Sequence, residues 1–571
     1  PVQWGPWHFR QSIDYSMTAN RAILDLASKY REDLLFNFWR MGRNSIERGS
    51  RDSWTTTPAT IAAAQRAIGD TAASDGASTN TPGGAGGGGR GGRGGCTGAN
   101  LSVCAAMLRD PARRDPRAFI ISAGQPEFAQ ALDFLQALSF AGIEIDKATA
   151  DFVLNGTRYP KGSFVVKADQ AFRPHVLDMF EPQWHPMDLQ YPGGPPKRPY
   201  DNAGYTLAFQ MGFRFERILD ALPVTVPLAP VIQETIVPDP AAFNAKAKAW
   251  VLSPASTDAF LAVNRLLKAG QHVERLADGN FLVDAAPAGV KILGDLASRR
   301  ALWTRTAAAS DKGTPIRALR IGLYDQYGGS MPAGWGRWVL EHYETPFERV
   351  FVPRLNAGDL NQDFDVLVFY GGIPTRGAGG RGFGGGRGVP DAASIPEEYR
   401  SQIGHSTVDT TLPQLKRFLE RGGRIVVIGR SGVDLAQDLD LPIDNQVAGI
   451  SQDKYYIPGS ILQVAVDTTQ PAAAGAHATT DIFFDNSPVL RLGADAAARG
   501  VRKIAWFDAP EPLRSGWAIG QNYLRGGVEM ASAEVGLGTA YFYAPEMTFR
   551  AQPEGTFKFI LNTFYGDVGK R

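Results

Sequence analysis

From Ser16 onward apolar residues recur at three- and four-residue spacing through Ile23, Leu24, Leu26, Ala27, Tyr30, Leu34, Leu35 and Phe38. Asp25, Lys29, Arg31, Glu32 and Asp33 occupy the other face. The pattern predicts one long amphipathic helix. A helix that presents leucine and aromatic side chains along one stripe is marginal alone in water, so it needs a packing partner. That partner is expected upstream of Pro1, which makes residues 1–70 the end of an incomplete domain.

A second pattern occurs twice. Arg117 to Ser122 is a short apolar strand that leads into a helix through Phe128, Leu132, Leu135 and Leu138, then strands at Gly142 to Asp146 and Gly162 to Val166. Lys248 to Ser253 starts the same order again, with a helix through Phe260, Val263, Leu266 and Leu267, a segment His272 to Glu274 and a strand Asn280 to Val283. The two read as copies of one βαββ plan, over residues 101–180 and 246–312. Continuous apolar strands alternating with helices predict parallel sheets covered on both faces. Between the copies, residues 181–245 form a connector; its stretch from Glu181 to Met211 is too rich in proline for a helix or most sheet ladders.

A third α/β unit opens at Leu319 to Leu323. It continues through a helix around Trp335 to Leu340, strands near Val350 and at Asp365 to Phe369, a helix at Leu415 to Leu419 and the strand Gly423 to Ile428. This is a flavodoxin-like succession, in which a ligand would sit at the strand ends. Strands at Tyr455–Val466, Ile482–Leu490, Val501–Trp506 and Gly538–Tyr543 form a β-rich C-terminal tail within the unit 313–571. The expected fold class is thus α/β, with tandem parallel-sheet modules, one of them flavodoxin-like, and that tail.

Composition changes this picture in two places. Residues 71–100 collapse into small residues ending in the glycine run 82–95, and a second glycine run at 377–388 interrupts the third unit as an insertion over 375–390. Both are expected to be disordered loops, since they hold almost no apolar surface to offset backbone entropy. Their few arginines resemble RNA-binding RGG segments, but no aromatic stacking array accompanies them. Lys and Arg number 59 against 58 for Asp and Glu, so a net charge of +1 leaves no chain-wide field for nucleic acid or an anionic membrane. No apolar run approaches the roughly 20 residues needed to cross a bilayer. Cys96 and Cys104 border the first glycine run; their spacing suits neither a zinc site nor a disulfide framework, and leaves their pairing open.

Candidate chemistry is sparse. Zinc hydrolysis needs converging imidazoles and a carboxylate plus a separate general base. His175 with Asp178 and His185 with Asp188 each place a carboxylate three residues after a histidine, yet neither pair has an obvious third ligand, and Pro182 and Pro186 oppose a helix at the second. Hydrogen-bonded structural histidines are the expected outcome. Ser431, just after the strand ending at Ile428, stands where a hydrolase nucleophile sits, but Val433 replaces the second glycine of GxSxG. A tight turn through Gly429 and Gly432 explains the segment equally. The turn Tyr327 to Met331 precedes a helix and could offer N–H groups to an anion, but lacks the lysine and full pattern of a phosphate loop.

The stretch Trp4 to Arg10 (WGPWHFR), with Ser12 to Tyr15 and Tyr30 to Arg43, resembles the last helical region of large bacterial carboxypeptidase A-like zinc peptidases. Arg198 to Asp201, Tyr205 to Leu207 and Gln210 to Gly212 resemble that class's connector, and Ser330, Met331, Gly334, Trp335, Arg337 and Trp338 the start of its class I glutamine amidotransferase-like domain. Asn486 to Pro488, Arg514 to Trp517, Arg550 to Pro553 and Gly555 to Lys558 are similar to its tail. Pro332 and Ala333 stand where the class usually has an acidic pair, which puts a ligand role for that turn in doubt. The resemblance implies a catalytic domain upstream, with an HxxE zinc motif, a later histidine and a catalytic glutamate that all precede Trp4. No catalytic, metal or cofactor-binding residue carries over onto this chain. It implies zinc and a peptide substrate for the intact protein, zinc bound by no residue here, and a periplasmic or secreted location. The expected role is a non-catalytic C-terminal accessory portion of a zinc metallocarboxypeptidase-like protein. The alternatives are a stand-alone binding module with an inactive amidotransferase-like fold and an amidohydrolase that uses Ser431.

Overall fold

A computed structural model describes residues 5–68, 100–238, 243–371, 391–404 and 406–565. All of the first glycine-rich segment but Asn100 and all of the second, with Arg90, Arg93, Arg381 and Arg387, lie outside the described residues. The N-terminal periodicity forms two helices instead of one, α1 (Phe9–Lys29) and α2 (Arg31–Gly49), because Tyr30 leaves helical geometry at φ −106°, ψ 19°. Helical hydrogen bonds still run through the break, from Tyr30 N to Leu26 O and from Leu34 N to Tyr30 O. No residue of α1 is buried. Leu24 and Leu35 are each 69% exposed and Phe38 77%. The pair is anchored at its far end, where Gly49 meets the Ala168 backbone so closely that a Cβ would lie 2.1 Å from Ala168 O. Asp115 secures the following segment by accepting hydrogen bonds from Ser53 Oγ, Thr55 N, Thr55 Oγ1 and Arg173 Nη2.

The first module contains strands β1 (Ala118–Ile121), β2 (Ile145–Ala148), the hairpin β3 (Phe152–Leu154) and β4 (Thr157–Tyr159), β5 (Phe164–Lys167), β6 (Glu216–Ile218) and β7 (Leu228–Val231). The second contains β8 (Ala249–Leu252), β9 (Val273–Leu276), β10 (Phe281–Asp284), β11 (Thr304–Thr306) and β12 (Gly313–Pro315). Their sheets run β6-β1-β5-β2-β7 and β11-β8-β10-β9-β12, the same order once equivalent strands are matched. Every neighbouring pair in both is antiparallel, which corrects the expected parallel sheets. The reason is topological. β1 and β2 do run in the same direction across the helix Phe128–Phe140, but β5 returns between them and pairs with both. The inner strands β1 and β8 are nearly continuously buried, as an inner parallel strand would be, so burial alone could not separate the two arrangements.

The third unit holds β13 (Ile321–Tyr324), β14 (Glu348–Val350), β15 (Val366–Tyr370), β16 (Arg424–Ile428), β17 (Ile443–Asn445), β18 (Ser460–Val466), β19 (Thr479–Phe484), β20 (Leu490–Leu492), β21 (Val501–Trp506), β22 (Leu513–Ser515), β23 (Val528–Val535) and β24 (Gly538–Tyr543). The order β14-β13-β15-β16-β24 is parallel throughout and is the 2-1-3-4-5 arrangement of flavodoxin-like folds. Val366, Val368, Val426 and Ile428 join one apolar core, while Leu367, Phe369, Ile425 and Val427 join another on the opposite face. The tail extends this sheet through β23, β21, β18 and β19, now antiparallel. The fold class is therefore α/β with a β-rich C-terminal region, and among the described residues parallel ladders between strands are confined to the flavodoxin-like half. Charged bridges join the units: Arg300 reaches Asp258 at 2.9 Å and Asp133 of the first module at 3.1 Å. Among the described residues no helix is long and apolar enough to cross a membrane.

Candidate functional site, an inter-module cleft

The first module, the proline-rich connector and the tail enclose a cleft of about 1250 Å³. Its walls include Arg214 to Arg217 around β6, Glu181 to Trp184 of the connector, His477 and Thr479 to Asp481 of β19, and Gly555 and Lys558 of the helix Glu554–Asn562. The connector enters as an extended strap: Gly516 N donates to Gln183 O at 2.6 Å and His185 N to Gly516 O at 3.1 Å. Prolines at this density keep it from coiling and leave its backbone free for such pairing.

Three ionisable side chains meet beside the cleft. Glu127, 1% exposed, lies with its Oε1 2.8 Å from His477 Nε2 and 4.0 Å from Lys558 Nζ. Burial alone would raise the Glu127 carboxyl, but the His477 hydrogen bond and the charges of Lys558 and His477 outweigh it and hold it below its ordinary value. Burial lowers the Lys558 ammonium, an effect that Glu127 opposes. Lys558 Nζ also donates to Ala255 O at 2.9 Å, which binds the second module to the same point. Further along, Arg514 Nε stands 3.3 Å from Asp481 Oδ1 while its guanidinium lies 4.6 Å from the centroid of the Phe209 ring. Burial pushes the Asp481 carboxyl up to about 6, against the pull of Arg514 and a hydrogen bond from Gln463. Arg217 forms a bidentate pair with Glu181 at 2.7 and 2.9 Å. The cleft thus carries both charges and an aromatic lining. Sequence reasoning missed it, because its walls come from segments that share no motif; the only sequence signal was the aromatic and proline density of the connector.

The residues singled out from sequence take other places. His175 and Asp178 share the helix Arg173–Phe180, and burial raises the Asp178 carboxyl, while His175 opposes the rise. His185 lies in the connector strap, stacked on Trp517 with ring centroids 4.8 Å apart, and Asp188 stands 3.7 Å from Lys197. Among the described residues no group of three or more His, Cys, Asp or Glu is placed to hold a metal. Ser431 begins the helix Ser431–Asp438 directly after the turn at Gly429, whose φ of +90° suits glycine. Its Oγ is buried, and no hydrogen bond reaches it among the described residues. Burial pushes the nearby Glu546 carboxyl up to about 7. A Cβ at Gly429 would lie 3.9 Å from that carboxylate, but among the described residues no histidine or cysteine hydrogen-bonds Ser431 Oγ to make a nucleophile–base pair. The turn Tyr327 to Ser330 does border a second cavity, of about 500 Å³, at the end of β13, with Asp325, Arg349 and Tyr399. There Ser330 Oγ caps the helix Met331–His342 by accepting from Ala333 N at 3.3 Å.

No protein-family model and no curated protein matches the chain. Among solved structures, a glutamine amidotransferase from Thermotoga maritima is similar at 9% identity and TM-score 0.26, over 44% of this chain and 100% of that one. A β-galactosidase from Bacillus circulans sp. alkalophilus is similar at 11% identity and TM-score 0.24, over 41% of this chain and 30% of that one. Another from Rahnella sp. R3 gives 13% identity and TM-score 0.22, over 48% and 35%. This chain spans about a third of the length of the β-galactosidases it matches.

Proposed function

We propose that this chain is an accessory portion of a zinc metallocarboxypeptidase-like protein, itself non-catalytic, whose α/β units support a catalytic domain that removes C-terminal residues from peptides. One observation carries the reading. Along α1 and α2, Ile23, Leu24, Leu35, Phe38 and Trp39 stand in solvent, each more than half exposed, although their spacing is that of a buried stripe. Exposed apolar side chains at helical spacing suit a packing interface, and the motifs from Trp4 to Arg43 resemble the final helices of the zinc peptidase domain. In this reading zinc and the general base belong to that domain, and the present units position it.

Two measurements test the proposal. The reading frame upstream of the codon for Pro1 should encode HxxE followed by a distant histidine; a stop codon or unrelated sequence there overturns it. The longer protein should release C-terminal phenylalanine from hippuryl-phenylalanine in a reaction that a zinc chelator abolishes, while the 571-residue chain releases none.

A further inference from the structure

We propose that the inter-module cleft binds an extended peptide segment, which pairs through its main chain with the open edge of β19. The inference is independent of the carboxypeptidase reading. Val466 N donates to Ala478 O at 2.9 Å, and the ladder pairs Val464 with Thr480 and Leu462 with Ile482. Residues 478, 480 and 482 therefore turn their backbone groups toward β18, and residues 479, 481 and 483 turn theirs to the outer edge. Glu546 N donates to Phe483 O from that outer side, at 3.1 Å. Thr479 and Asp481 lie further along the same edge, line the cleft and have no backbone partner there among the described residues. Two residues with outward N–H and C=O groups, one residue apart, are the template on which another strand adds.

The surroundings favour a peptide over other ligands. At about 1250 Å³ the cleft exceeds the roughly 300–1000 Å³ of ordinary small-molecule sites. β6, the edge strand of the first module, lines the same cleft, so a second wall also ends in backbone. Phe209, Phe215 and Trp184 offer apolar and stacking surface. Arg214 is exposed and makes no ion pair among the described residues, whereas Asp178, Glu181 and Asp481 line the same walls. A polyanion would meet these carboxylates; a peptide bearing both signs would not be repelled.

The test uses the full chain, immobilised, with a tryptic digest of casein as the probe. Retained peptides are identified by mass spectrometry, and the best is synthesised with and without backbone N-methyl groups on alternate residues. Thr479→Pro deletes one outward N–H and spares the ladder to β18, so it should weaken binding by about tenfold with the melting temperature unchanged. The N-methylated peptide should lose affinity for the unaltered protein to a similar degree, which keeps the test decisive if the variant misfolds. Binding should also slow amide exchange at Thr479 and Asp481. Failure to retain any peptide, equal affinity for the N-methylated peptide, or displacement of bound peptide by lactose would overturn the proposal.

Discussion

His477, in the tail just before β19, stands 2.8 Å from Glu127, at the head of the first module's helix Phe128–Phe140. The pair fastens two units that are remote in sequence. Because Glu127 is buried, His477→Ala leaves its carboxylate with Lys558, at 4.0 Å, as its one charged partner among the described residues, and should cost about 1–3 kcal/mol. The pH dependence has a definite sign. The folded Glu127 carboxyl lies below its ordinary value of 4.5, so the unfolded chain holds the proton more tightly. Its stabilisation is complete above about pH 4.5 and is lost as pH falls through the lowered folded value. Thermal unfolding should show Glu127→Gln weakening the protein at pH 7 and the deficit shrinking toward pH 3.

Asp365 precedes β15 and accepts a bidentate pair from Arg317 at 2.8 and 2.9 Å, with Arg320 N and Nη2 each at 3.0 Å. Burial acts to raise its carboxyl, but the two guanidiniums and the backbone N–H together hold it far below the usual range. Asp365→Asn keeps the shape and removes the charge, and should cost about 2–3 kcal/mol at pH 7. Calorimetry at pH 7 and pH 2 should show that difference reduced at the lower pH but still present, since it is lost fully only as pH falls through the lowered folded value.

Asp481 behaves in the opposite sense. Its folded carboxyl is pushed up to about 6 from an ordinary 3.8, so ionisation is disfavoured in the folded state. Its contribution is most favourable below about pH 4 and declines as pH rises toward 6, by about 2–3 kcal/mol at roughly 1.4 kcal/mol per unit. Asp481→Asn, which retains an acceptor for Gln463, should raise the melting temperature at pH 8 and leave it unchanged at pH 4. Equal shifts at both values would mean that the carboxylate is paired more tightly than its surroundings indicate.

The exposed stripe on α1 and α2 predicts an unusual tolerance. Leu35→Glu and Phe38→Glu should change stability by no more than about 0.5 kcal/mol, as surface substitutions do. Phe119→Ala, in the fully buried strand β1, should cost about 3–5 kcal/mol. The glutamates should also reduce concentration-dependent association measured by light scattering. A large destabilisation would show that the stripe is already covered within the chain.

Hydrophobic spacing by itself determined the existence of the N-terminal amphipathic segment, the twofold βαββ pattern and the flavodoxin-like succession from Leu319 to Ile428. These are local properties, written in periods of two and 3.6 residues and in the lengths between turns. It could not decide which strands touch. Whether β5 returned between β1 and β2 depended on which pairing closed the sheet, and the buried runs at Phe119 and Val251 are compatible with either direction. The break at Tyr30 escaped the pattern because the apolar stripe continues across it. The cleft was beyond reach for the same kind of reason. Glu127, Arg214, His477, Asp481 and Lys558 carry no shared spacing, and they meet only because three packed units place their segments side by side. The open edge of β19 arises likewise, since a strand is terminal only when the whole sheet has been assembled and, among the described residues, no further strand pairs beyond it.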